Sequence, residues 1–462
     1  MLLLSTLLAL GALPDTPPNV VVLLVDDLGW TDLGYSGSSF HETPNIDRLA
    51  SRSIRFTDAY SACTVCSPTR AAILTGRYPA RLRVTDWIHG HRRPRAKLRI
   101  PDWTHYLAHE EVTIAEALGA KGYASASIGK WHLGDEPHWP ESQGFDRNVA
   151  GTHRGQPPSY FAPYRIPTLE DGPEGECITD RLTSEAIRFV EENRERPFFL
   201  YLPYYTVHTP IQPKEELARK YAEKAARLRP PAGAQRNPGY AAMIETLDRN
   251  VGRLLERLEE LELDERTVVV FTSDNGGLVL GHSRWGQVTS NAPLRAGKGS
   301  SYEGGVRVPL LVRWPGVTRP GSVSSVPVIS ADFFPTVLEI AGAAPPAGRE
   351  IDGESLAPLL RGGESLDRDA VFWHYPHYHP GGATPYGAVR AGDWKLIEHY
   401  EDPRVELYDL REDLGETRDL SASHPEKARE LRERLHAWRE SVKAQMPSPN
   451  PDHDPERAGA RE

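Results

Sequence analysis

Two continuous apolar runs dominate the hydrophobic pattern of the chain, Val20–Val25 and Thr267–Thr272. Neither alternates with polar residues, so each reads as a strand buried on both faces of a sheet. Shorter runs of the same kind occupy 198–202 and 124–128. Between the runs the period changes. Tyr240, Met243, Ile244, Leu247, Val251, Leu254, Leu255, Leu258 and Leu261 recur at helical spacing, which predicts an amphipathic helix over 239–262. Another helix is expected over Ile178–Asn193, leading into the strand at 198, and residues 113–121 precede the strand at 124. Strands alternating with helices imply an α/β fold, with a large mixed, mostly parallel sheet covered by helices on both faces.

The pattern shifts near Arg361-Gly362-Gly363-Glu364. Beyond it, Ala370–Tyr375, Gly387–Ala391, Trp394–His399 and Glu406–Leu410 read as short strands, and Pro425–Lys443 as a charged helix. The expected organisation is a catalytic domain over 18–362, a small antiparallel-sheet-plus-helix subdomain over 366–446, and a disordered tail over 447–462, where proline and charge accumulate.

Composition narrows the partners. The 462 residues carry 54 basic and 64 acidic side chains, a formal charge of -10, with no long basic run, which argues against nucleic acid. Met1–Leu13 is apolar, too short to span a bilayer, and followed by Pro14 and polar residues. It reads as a secretory signal peptide with Ala9, Gly11 and Ala12 as small residues for cleavage, so the expected location is periplasmic or secreted. No other run is long enough for a membrane span.

Both long runs end in acids: Asp26-Asp27-Leu28-Gly29 and Ser273-Asp274-Asn275-Gly276-Gly277. Carboxylates at the end of a buried strand are costly unless neutralised, and a hard cation does so with oxygen ligands. Two such ends would place four oxygen donors at one edge of a parallel sheet, where open α/β folds bind ligands. A second feature is Cys66-Ser67-Pro68-Thr69-Arg70. Ser67 suits an N-cap and Pro68 a first helical position, so a helix is expected to run from here toward Thr75. Cys66 before the positive end of that helix, with Arg70 on the same face, makes a site for an anion. Cys63-Thr64-Val65-Cys66 is also a Cys-x-x-Cys, but one isolated pair is weak evidence for zinc.

Continued to Thr75-Gly76-Arg77, the Cys66 segment resembles the signature of the formylglycine-dependent (type I) sulfatases of the alkaline phosphatase superfamily. Gly129-Lys130-Trp131-His132-Leu133-Gly134, the loop Pro293–Lys298 leading to Tyr302-Glu303-Gly304-Gly305, and His208 in Tyr205–Pro210 resemble further motifs of that family, in family order. The resemblance implies that a maturation enzyme oxidises Cys66 to formylglycine (3-oxoalanine). It implies one divalent ion on Asp26, Asp27, Asp274, Asn275 and residue 66. Oxygen-only ligation favours Ca2+ over Mg2+ and disfavours zinc. Arg70, Lys130 and Lys298 would stabilise the sulfuryl oxygens, His132 would act as base, and His208 or Lys298 as general acid. With Cys66 converted, Cys63 and Cys177 could pair, which spacing alone does not decide.

The implied activity is hydrolysis of sulfate esters, in the manner of secreted bacterial carbohydrate sulfatases. Aromatic, His and Arg clusters that suit a sugar follow the catalytic helix (Trp87, His89, Arg92) and open the C-terminal region (His374, His379). The expected substrate is a sulfated glycan of galacto configuration, sulfated at O4. Two rival classes stand beside this reading. A phosphatase or phosphodiesterase of the same superfamily would use Ser or Thr and more His ligands. A non-catalytic sulfoglycan-binding protein would leave Cys66 unconverted.

Overall fold

The two long apolar runs lie side by side in a computed structural model that describes residues 17–229, 233–280 and 282–459. The main sheet contains β1 (Asn19–Val25), β2 (Ile54–Phe56), β3 (Ala124–Ile128), β4 (Arg147–Val149), β5 (Phe198–Pro203), β6 (Thr267–Ser273), β7 (Leu310–Arg313) and β8 (Val323–Ser324). Its order is β8-β2-β7-β6-β1-β5-β3-β4. All neighbours are parallel except β7, which runs antiparallel to both β2 and β6.

The uninterrupted apolar character of β1 follows from what covers it. Val21, Leu23 and Val25 face one layer, with α1 (Pro44–Ser51), α4 (Ile178–Glu192) and α5 (Pro238–Glu260). Val20, Val22 and Leu24 face the other, with α2 (Cys66–Thr75), α3 (Ile114–Gly119) and α6 (Phe333–Ile340). Successive strand side chains point to opposite faces, so a sheet covered twice tolerates no polar position in its centre.

The C-terminal sheet is antiparallel, in the order β9 (Ala370–Tyr375), β10 (Tyr386–Ala391), β11 (Trp394–His399), β12 (Val405–Asp409). On one face Val389, Leu396 and Leu407 pack against Ala428, Leu431 and Leu435 of α7 (Pro425–Ser441). The opposite face packs Trp373, Tyr386 and Ile397 against Tyr60, Ala62, Val65 and Ala72, around the start of α2. Trp373 Nε1 donates to the Ser61 carbonyl at 2.8 Å and the Tyr386 hydroxyl to Thr64 Oγ1 at 3.0 Å. A buried ionic cluster ties the two sheets. Lys395 Nζ of β11 lies 2.8 Å from Glu303 and 3.0 Å from Glu416, and Glu303 also accepts from Arg307 Nε at 2.6 Å.

Two expectations change here. The tail expected to be disordered is folded onto the main domain over its described residues, 447–459. Ser448–Pro449 pairs antiparallel with Leu98–Arg99, and Asn450 Nδ2 donates to the carbonyls of Pro94 and Ala96 at 2.9 and 2.7 Å. Composition argues for disorder because the segment has little apolar surface, but the backbone groups of 94–99 supply partners that composition does not register. The pairing left open for Cys63 and Cys177 is not made, and all three cysteines are free and buried. Cys177 sits just before α4, whereas Cys63 packs under the C-terminal sheet beyond the opposite face of the main sheet. The Met1–Leu13 segment lies outside the described residues. Among those described, no helix is long and apolar enough to cross a membrane.

Removing one partner of a buried ionic cluster leaves uncompensated charge. Lys395→Met is therefore expected to lower stability by about 3 kcal/mol, read as a lower urea midpoint with unchanged slope.

Candidate functional site

The register of β1 on β6 sets Val25 beside Ser273, so both acidic pairs leave the sheet at the same edge. The chain after β5 joins them, because Asp26 N–H donates to the Thr206 carbonyl at 3.0 Å and Val207 N–H to the Asp26 carbonyl at 2.8 Å. Asp26, Asp27, Asp274 and Asn275 are all fully buried. Three cations meet the carboxylates. Arg70 donates to Asp274 Oδ2 through Nε (3.0 Å) and Nη2 (2.7 Å), and through Nη1 to the Lys130 carbonyl (2.7 Å). Lys130 Nζ donates to Asp26 Oδ2 at 2.8 Å, and Lys298 Nζ lies 2.6 Å from Asp27 Oδ1.

Those contacts leave specific atoms over. Asp26 Oδ1, Asp27 Oδ2 and Asn275 Oδ1 are buried and accept no hydrogen bond. Buried polar atoms are normally satisfied, so three acceptor oxygens without donors at one sheet edge fit a hard cation in their midst. Asn275 Nδ2 donates to Asp27 Oδ1 at 2.8 Å, which fixes the amide and leaves its carbonyl oxygen available. One ligand atom each from Asp26, Asp27 and His208 lie within 4.8 Å of one another.

The ionisation states follow from burial and these pairs. Burial raises the Asp26 carboxyl, with Lys130 opposing and Asp274 and Asp27 reinforcing the rise. Against burial, Lys298 and His208 hold Asp27 well below the carboxylate range, and Arg70 and Lys130 hold Asp274 down. Burial raises the Cys66 thiol, so the unmodified cysteine is a poor thiolate. Burial and Lys298 push His208 down to about 3, and burial and Lys130 keep His132 neutral.

Cys66 is the first residue of α2, behind an extended Val65 at the cap position. Ser67 is therefore inside the first turn and is not the N-cap that its residue type predicts. Its hydroxyl instead donates to the His132 carbonyl at 2.8 Å and accepts from Ile88 N–H at 3.1 Å. This hydroxyl pins together the three loops around the thiol. Cys66 Sγ lies 3.3 Å from His132 Nδ1, and His132 Nε2 contacts the Ile88 carbonyl. A carbonyl only accepts, so Nε2 carries the proton and Nδ1 presents a lone pair to residue 66. By the same reasoning the 2.6 Å contact of His208 Nδ1 with the Thr209 carbonyl leaves Nε2 without a proton, 3.6 Å from Asp27 Oδ2.

Above Cys66 opens a cavity of about 360 Å³, walled by Trp87, Ile88, His132, Gln156, His208, Lys298 and His379. The structure thus brings Trp87 and His379 to the site with Cys66, His132, His208 and Lys298. His89, Arg92 and His374 are not in the wall. His89 and Arg92 are exposed outside it. His374 is buried elsewhere, held by the Tyr400 hydroxyl at 2.8 Å and the Gln445 carbonyl at 2.9 Å. It neighbours Trp373 on β9, and alternation sends it to the opposite face. Gln156, Leu278 and Pro380 line the cavity without any chemical signature that would have marked them in the sequence. Gly155 is required there, because a Cβ at that position would come within 2.6 Å of His132 Cε1.

Comparison with known proteins meets this geometry. The sulfatase family model matches residues 18–343, and the model of the N-sulphoglucosamine sulphohydrolase C-terminal region matches 297–444. A sulfatase of Formosa agariphila is 35% identical over 91% of this chain and 88% of its own. The N-acetylgalactosamine-6-sulfatase of Canis lupus familiaris is 35% identical over 87% of this chain and 77% of its own. Among solved structures, Ps i-CgsB superposes with a TM-score of 0.77 at 30% identity, covering 96% of this chain and 97% of its own. Its complex with k-i-k-neocarrahexaose gives 0.75 at 31%, covering 92% and 93%.

Ser67→Ala would strand the buried Ile88 N–H and His132 carbonyl. A loss of about 1–3 kcal/mol is expected in denaturant unfolding. Ser67→Cys, which keeps a weak donor, should lose less.

Proposed function

The chain belongs to the sulfatase family, and from that premise we propose that it removes sulfate from a sulfated glycan, using formylglycine made from Cys66 and one calcium ion. The observation that carries the reading is the convergence of Cys66, three cations and three unsatisfied oxygens at one sheet edge. Asp26, Asp27, Asp274 and Asn275 would hold the ion, together with residue 66, whose Sγ stands in the place of the formylglycine oxygen. All-oxygen ligation supports Ca2+ ahead of Mg2+. When bound, the ion supplies positive charge that stabilises an ionised hydroxyl and the sulfuryl oxygens. Formylglycine, once hydrated, supplies two hydroxyls on one carbon, one to attack sulfur and one to expel sulfate afterwards.

The remaining work falls to ordinary side chains. Arg70, Lys130 and Lys298 lie beside the acids, and Lys298 also lines the cavity, so these side chains would stabilise charge on the sulfuryl oxygens. His132, with its lone pair on the Cys66 side, is the base that takes a hydroxyl proton. Lys298 already carries a proton and reaches the cavity, whereas His208 would first have to gain one, so Lys298 is our assignment for the donor to the leaving alcohol. Trp87 and His379 line the cavity and would offer ring surface and a ring nitrogen to a sugar. A galacto-configured sugar is supported by relatives named N-acetylgalactosamine-6-sulfatase, at 34–35% identity. Their name specifies position 6, so O6 competes with the O4 position suggested by sequence. A formylglycine-generating enzyme is the implied partner, and an apolar Met1–Leu13 supports export to the periplasm or beyond.

Mass spectrometry of the tryptic peptide containing Cys66, from a host with the maturation enzyme, should show conversion of thiol to aldehyde. The same preparation should turn over galacto-configured 4-O- or 6-O-sulfates. An unconverted, inactive protein would favour the sulfoglycan-binding reading. Preference for a sulfated glucosamine would overturn the sugar assignment.

Chelation should lower both activity and thermal stability. Re-addition of Ca2+ to 100-fold above its Kd should restore about 2.7 kcal/mol of stability, and Asn275→Ala should blunt that gain. Lys298→Ala should lower kcat by about 10²–10³-fold; an unchanged kcat removes Lys298 from the mechanism.

A further inference from the structure

The turn after the second acidic pair and the loop that carries Lys298 meet at one buried side chain. Asn291 is 2% exposed, and its Nδ2 donates to three carbonyls, those of Gly277 at 3.0 Å, Ala296 at 3.0 Å and Gly304 at 3.2 Å. We propose that Asn291 is the positioning residue for Lys298, a role that rests on the proposed sulfatase reaction and on the part Lys298 plays in it. Its amide fixes the lysine loop against the turn that carries Asp274 and Asn275.

The three carbonyls belong to three stretches of chain. Gly277 closes the turn Asp274-Asn275-Gly276-Gly277, Ala296 lies two residues before Lys298, and Gly304 lies in the short helix Glu303–Val306 that follows the loop. The Gly277 carbonyl also accepts from Lys298 N–H at 3.1 Å, so one oxygen meets both the amide and the backbone of the lysine. Gly299 N–H continues to the Thr64 carbonyl at 2.9 Å, on the segment leading to Cys66. The loop needs such a hold. Ala296 has a φ of 59°, a left-handed conformation that costs an alanine more than a glycine. The bond from Asn291 to its carbonyl offsets that cost. Without it the backbone next to Lys298 is free to relax.

The residue type follows from the surroundings. Asn291 Oδ1 is buried and accepts no hydrogen bond. Buried acceptors are normally satisfied, so the orientation is set at the other end of the amide, where three carbonyls require a donor. An aspartate there would turn an oxygen toward carbonyls that repel it. A glutamine is one methylene longer, and two glycines close around the group. A Cβ on Gly29 would come within 2.4 Å of Oδ1, and one on Gly277 within 2.7 Å. Those glycines follow the two acidic pairs, so the same side chain also spaces the turns that carry the acids.

The consequence falls on the reaction. Lys298 Nζ lies 2.6 Å from Asp27 Oδ1 and its side chain lines the cavity, so a displaced loop moves the proposed proton donor. A misplacement of about 1 Å at such a group costs about 10²-fold in rate.

The test pairs a readout of position with one of turnover. In Asn291→Ala, amide hydrogen exchange of the full chain should quicken over residues 294–300, while β1 and β6 keep their protection. The same variant should lose about 10²-fold in kcat, with a smaller change in KM. The Asn291→Ala/Lys298→Ala double variant should be no slower than Lys298→Ala alone, because a residue that acts through Lys298 then has nothing left to position. Unchanged exchange over 294–300, or losses that multiply in the double variant, overturn the proposal. Full kcat in Lys298→Ala would remove the catalytic part of Lys298, and the exchange measurement would still decide whether Asn291 holds the loop. Asn291→Ser, which keeps one donor, decides by the same comparisons with smaller shifts if the alanine variant does not fold.

Discussion

Three carboxylates buried at one sheet edge are the constraint that the rest of the molecule answers. Asp26, Asp27 and Asp274 repel one another and have lost their water, and no isolated strand end could hold them there. Arg70, Lys130 and Lys298 each come from a different segment, and each takes one acid. The pairing positions more than charge. Arg70 anchors the helix that begins at Cys66, and its third contact, to the Lys130 carbonyl, fixes the loop that carries His132. The geometry around residue 66 is thus a by-product of neutralising the acids, and the atoms left over after that neutralisation mark the cation site.

The C-terminal sheet serves the same end from the opposite side. It packs its apolar face on the residues around the start of α2, so the segment leading to Cys66 has no freedom to move outward. Tyr375 and His377 extend this grip to the cavity wall. The Tyr375 hydroxyl donates to Asp86 at 2.8 Å, and His377 Nε2 meets Thr85 Oγ1 at 2.8 Å, immediately before Trp87 and Ile88. What looks like an appended subdomain is a buttress for the site.

Much of this is legible in the sequence where one physical demand dominates. A strand covered on both faces can only be apolar, so β1 and β6 are visible, and acids ending two such strands have to share a neutraliser. The helix at 238–260 shows its stripe for the same reason. Legibility fails where several demands compete. β7 has four residues between Pro309 and Trp314-Pro315, too short for a period, and its antiparallel place in the sheet depends on β2 and β6. Ser67 has the chemistry of a cap, yet its hydroxyl is drawn off by two loops distant in sequence. His374 shares a segment with aromatic neighbours, although strand alternation separates it from Trp373. The ordered segment after 447 depends on carbonyls elsewhere, which no local composition reveals.

That segment carries a consequence for how the protein is made. The loop after Trp87 is tied down by Asn450, whose partner at Pro94 is 356 residues away along the chain. Ser67 and His132 hold the start of this loop at Ile88, and both precede the C-terminal sheet in the chain, whereas the stretch around Pro94 and Ala96 finds its partner in Asn450. The main sheet can therefore be complete before this part of the loop has its partner. Docking of that segment is a long-range event, separate from formation of the sheet.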